Sequence, residues 1–188
     1  FTSVLSGMGT ALKAAAAATA AAVAGAATAI GALTTKAIEG YAAQEQLVGG
    51  VETLFKTSSD TVVGYANDAY KTAGMSANEY METVTSFSAS LLASMNNDTA
   101  AAAEKANVAI TDMSDNANKM GTDISLIQNA YNGFAKQNYT MLDNLKLGYG
   151  GTKEEMQRLL DDASKLSGIK YDISSYSDVV DAIHVVQT

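Results

Sequence analysis

The residues from Ala14 to Thr35, AAAAATAAAVAGAATAIGALTT, carry no charge and no aromatic ring, and Lys13 and Lys36 flank them. No other stretch limits the fold so strongly. Alanine loses no side-chain entropy on entering a helix, so the run is expected to be helical despite Gly25 and Gly31. A helix clothed in methyl groups gains little by packing on a globular core. It does let another backbone come close, and Ala21, Gly25 and Ala29 give it a small-xxx-small face for that purpose. The expected shape is a rod lying beside similar rods.

With Val23 as position a, a heptad seam runs through Leu5, Leu12, Ala16, Thr19, Val23, Ala26, Ile30, Leu33 and Ala37. It resumes at Leu47, Val51 and Leu54, with Gly40 and Gln44 as its weak link. In an alanine run most seams are apolar, so Leu12, Val23, Ile30 and Leu33 set the register and are the candidate self-association residues. Proline is absent where average usage of about 5% would give roughly nine, so helices can run unbroken. Cysteine is absent too, which removes disulfides and thiolate metal sites and fits a reducing compartment. The first residue is Phe1, from which a piece of a longer chain is expected.

Beyond the rod, the sequence reads as short helices. Gly49 and Gly50 are expected to interrupt the pattern, and Thr57 to Asp60 to cap a helix through Val62, Ala66, Ala69 and Ala73. Ser76 and Glu79 form a capping box ahead of Tyr80, Val84, Phe87, Leu91 and Met95. After a turn and cap at Asn96, Asn97 and Asp98, the stripe Ala103, Ala106, Ile110, Met113, Ala117 and Met120 marks the next helix. Glu104, Lys105, Asp112 and Asp115 are expected to be its solvated face. Gly121 ends it, and Thr122 or Asp123 starts one with Ile124, Ile127, Tyr131 and Phe134 inward. Thr152 and Glu155 open a helix through Met156, Leu159, Leu160 and Ala163, which Gly168 closes. Residues 169–173 alternate like a short extended segment, and Ser177 is expected to start a last helix. The fold class is all-α: a long Ala/Gly-rich coiled-coil-like helix over residues 1–56, then a bundle of about six short helices over 57–188.

No constellation for chemistry emerges. The Gly148–Lys153 turn lacks the P-loop spacing, and Glu154 and Glu155 beside Lys153 would repel phosphate. His184 is the only histidine, with no second nitrogen or thiolate ligand, and is expected to be an ordinary helical residue. Asp161–Asp162 and Glu154–Glu155 are adjacent pairs that diverge around a helix, so they read as solubilising surface. The methionines fall mostly on apolar stripes, as core filler. No catalytic, cofactor-binding or metal residue is assigned, and the chain is expected not to be an enzyme. The net charge is −8, residues 1–56 balance to zero, and Arg158 is the one arginine; sequence-specific nucleic-acid binding is not expected.

Three long strings, SANEYMETVTSFSASLL (Ser76 to Leu92), MSDNANKMGTDISLIQNAYNGFAKQNYTML (Met113 to Leu142) and NYTMLDNLKLGYGGTKEEMQRLL (Asn138 to Leu160), resemble phage tail tape measure proteins. The resemblance covers about Gln44 to Gln187. It implies a large helical virion protein inside the tail tube that sets tail length during assembly in the host cytoplasm and leaves ahead of the DNA. Similar proteins occur in phage-like contractile bacteriocin particles. The implied partners are its own copies in threefold assembly (a homotrimer), the usually sixfold tail tube, and tail-tip or baseplate hub proteins. Tape measures sometimes carry peptidoglycan-cleaving domains, and no such motif is present here. The competing class is a membrane-inserting module that helps DNA cross the host membrane. Ala14–Thr35 matches the roughly 20 residues of a bilayer span, though it is poor in Leu, Ile and Phe.

Overall fold

The computed structural model describes residues 43–188, and the compact unit runs from Gln46 to Thr188. The seam residues Leu12, Val23, Ile30 and Leu33 and the small-residue face Ala21, Gly25 and Ala29 lie outside the described residues, as does the expected rod up to residue 42. The described residues are helical, with no strand among them.

Helix α1 covers 43–55 and passes straight through Gly49 and Gly50 instead of breaking there. The physical reason is burial. Each glycine costs the helix about 1 kcal/mol, whereas Val51 and Phe55 are fully buried, and burying such side chains stabilises by about 1.5–3 kcal/mol each. Leu47 and Leu54 pack on the same core. These seam positions therefore face the globular unit, which takes in 46–56, residues the sequence reading gives to the rod.

A 3-10 turn, Lys56–Ser58, leads into α2 (Ser59–Thr72) without a side-chain cap. The Ser58 hydroxyl bonds Thr99 Oγ1 at 3.0 Å instead, which ties this turn to a residue 41 positions further along the chain. Helices α3 (Ala77–Ser94), α4 (Thr99–Met120) and α5 (Ile124–Phe134) follow. Ser76, Asp98 and Asp123 cap them by accepting backbone N–H bonds. Gly121 closes α4 at φ 63°, a left-handed conformation that glycine adopts without strain. After a second 3-10 turn, Leu142–Leu145, come α6 (Lys153–Ser167), capped by Thr152, and α7 (Tyr176–Gln187). Ser175 caps α7, not Ser177, because Ser175 and Asp178 form the local box while the Ser177 N–H donates to Ser94 Oγ. Residues 169–173 form no strand.

Helix α4 is the centre. It packs on α2, α3, α5 and α7, and α6 packs chiefly against α7, as a hairpin whose second arm seats on the bundle. Among the described methionines, Met75, Met81, Met113 and Met156 are buried core residues.

Candidate functional site

Two polar clusters are built into the unit. The first is the seam between α4 and α7. Going along both helices in the same direction, Lys105 pairs with Asp181, Asp112 with His184, and Asn116 with Gln187. The expected solvated face of α4 is corrected here at two of its four residues. Asp112 is only 5% exposed, and Lys105 is largely covered. The cause lies in α4 itself, whose alanines let neighbours close in around most of its circumference, so Ala109, Asp112, Met113 and Asn116 all become interior positions.

A buried carboxylate must be compensated. Both oxygens of Asp112 lie 2.9–3.0 Å from His184 Nδ1. Burial pushes the Asp112 carboxyl above its ordinary range, the His184 contact opposes that shift, and Asp115 adds to it. Gln187 completes the seam, its Nε2 donating to the Asp112 carbonyl and its Oε1 accepting from Asn116 Nδ2. Asn116 Nδ2 also donates to the Leu145 carbonyl at 3.0 Å, and its Oδ1 is buried without a partner among the described residues. The ends of α4 and α7 frame a groove of about 600 Å³ lined by Asp112, Asp115, Asn116, Lys119, Leu147 and Gln187.

The second cluster straps the glycine turn. Arg158 stacks over the Tyr149 ring at 4.4 Å, donates to the Gly148 carbonyl at 2.8 Å and pairs with Glu155. Glu155 Oε2 accepts from the Gly150 N–H at 3.0 Å, and Tyr149 donates to Asp162 at 3.1 Å. The bond from Arg158 and then that from Gly150 hold the Glu155 carboxyl below its usual range. Glu155 and Asp162, read as plain solubilising charges, therefore position a loop. Lys153 remains exposed, in no hydrogen bond to the turn.

Among the described residues no group of three or more His, Cys, Asp or Glu is placed to hold a metal ion, and no helix is long and apolar enough to cross a membrane. The Ala14–Thr35 span is not among those residues. Searches for a matching protein family, a similar curated protein and a similar solved structure find no match.

Proposed function

We propose that this chain is part of a tail tape measure protein, a structural protein that lies in the lumen or tip of a tail tube, sets tube length during assembly and leaves ahead of the DNA at ejection. What carries the reading is the set of three strings from Ser76 to Leu160 that resemble that family. They hold some of the residues that order the unit, namely the Ser76 and Asp123 caps and the Tyr149–Arg158 strap. The mechanism is geometric: a helix advances about 1.5 Å per residue, so residue count becomes particle length with no chemical step. In this reading the copies associate as a trimer about Leu12, Val23, Ile30 and Leu33, with Ala21, Gly25 and Ala29 allowing close approach. The tube wall and the tip or hub proteins surround them, and no residue has a catalytic role.

A membrane-inserting module is the second reading, favoured by the uncharged length of Ala14–Thr35. Mass spectrometry of purified particles, combined with dye-release measurements on anionic vesicles, separates the two. The tape measure reading predicts peptides of this chain in intact tails at a fixed ratio to tube protein, lost after ejection, with vesicles left intact. Intact tails lacking the chain, or prompt vesicle leakage, would favour the membrane module.

A further inference from the structure

We infer that α4, α5 and α7 close around one internal water molecule, which donates to Asn116 Oδ1 and to the Asp112 carboxylate and accepts from the Tyr131 hydroxyl. The inference stands on the hydrogen-bonding groups of this junction and does not rest on the tape measure reading.

Asn116 Oδ1 and the Tyr131 hydroxyl are both buried with no partner among the described residues. Asn116 is 3% exposed and Tyr131 is fully covered. In folded proteins such groups are nearly always satisfied, by protein or by ordered water, because a bare one costs its full desolvation. Turning the Asn116 amide over is no remedy. Both protons of Nδ2 are in use, on the Leu145 carbonyl and on Gln187 Oε1, so Oδ1 remains an acceptor in need of a donor.

Asp112 lies one turn earlier on the same face of α4, close enough for one small molecule to bridge the two side chains. Among the described residues its carboxylate accepts only from His184 Nδ1, which leaves lone pairs free. Tyr131 comes from α5, and the Tyr176 hydroxyl of α7 donates to its carbonyl at 3.2 Å, which fixes it where the three helices meet. Burial, and after it the Asp112 charge, keeps the Tyr131 phenol protonated, so it is a donor.

The unmatched groups are therefore two acceptors and one donor. Water offers two protons and a lone pair, and three bonds is the usual complement of an internal water. A metal or ammonium ion accepts no proton and would leave the phenol O–H unmatched. The groove lined by Asp112 and Asn116 gives the water its way in.

Urea unfolding of Tyr131→Phe, set against Tyr80→Phe, tests this. Tyr80 is just as buried and donates directly to Asn107 Oδ1 at 2.9 Å, so its variant measures what one satisfied hydroxyl contributes. Each substitution keeps the ring and removes a single oxygen, so both variants should fold. With the water in place, Tyr131→Phe should raise the unfolding constant about fivefold, the size of one net hydrogen bond, and match Tyr80→Phe. A bare hydroxyl has the opposite sign: the variant would equal or exceed wild type in stability, and the proposal would fall. A crystal structure of the chain then identifies the partner. It should show one ordered water within hydrogen-bond distance of Tyr131 Oη, Asn116 Oδ1 and an Asp112 oxygen. A direct Tyr131–Asp112 bond, a bound cation or a dry junction would overturn the inference.

Discussion

Replacing Gly151 with alanine should destabilise the unit by about 3 kcal/mol, the upper end of what an extra buried methyl group costs. A Cβ at Gly151 would lie 2.2 Å from the Thr140 carbonyl oxygen and 2.9 Å from its carbon. Those are backbone atoms, so no side chain can swing aside to make room. Thr140 is itself pinned, since its N–H and Oγ1 both donate to Asn138 Oδ1 at 3.1 and 2.8 Å. On the other side the loop is held by Arg158 on Gly148, Glu155 on Gly150 and Tyr149 on Asp162. Neither strand of chain can retreat without breaking bonds. Gly64 provides the control: it lies inside α2, with nothing among the described residues within 4 Å of its would-be Cβ. Gly64→Ala should stabilise by about 0.5–1 kcal/mol through helix entropy. Urea unfolding of both variants reads the contrast, and a Gly151→Ala unit as stable as wild type would mean that the two segments are not in contact.

That close approach was beyond reach in the sequence, although the turn was not. Caps at Ser76, Asp98, Asp123 and Thr152 were readable because each is satisfied within three residues of itself. The inward stripes of α3, α5 and α6 were readable because a period of 3.6 needs no knowledge of the partner. Asp112 was misread because its compensation comes from His184, 72 residues further on, and nothing local distinguishes it from a solvated charge. One clue was present. Small residues surround α4 from Ala100 to Ala109 on nearly every side, a pattern suited to a central helix, and a charge on such a helix calls for a partner. Gly49 and Gly50 misled for the opposite reason. Their local cost is real, but burial of Val51 and Phe55 exceeds it.

Ile30→Lys combined with Leu33→Lys should abolish self-association of the chain. In the proposed trimer both side chains lie on the shared a/d seam, and each substitution would place an ammonium group in an apolar core with no anion to meet it. Three copies would multiply the cost, which far exceeds the few tenths of a kcal/mol typical of an exposed change. The helical unit from Gln46 onward contains neither residue and should keep its circular dichroism and its urea midpoint. Sedimentation then separates the outcomes: wild type as an oligomer and the double variant as a monomer. Equal masses for the two would remove the seam from the account.

The ruler mechanism is tested most directly by tail length in particles carrying in-frame deletions in the full protein. Removing two heptads from a helical measuring segment keeps the seam in phase and takes out about 14 × 1.5, or roughly 21 Å, of axial rise. Electron microscopy of the assembled tails should show them shorter by that amount, and shorter in proportion for larger whole-heptad deletions made in the central region of the chain. Deletions that are not whole heptads rotate the seam and should impair assembly. Tails of unchanged length after central whole-heptad deletions would contradict the tape measure reading of this protein.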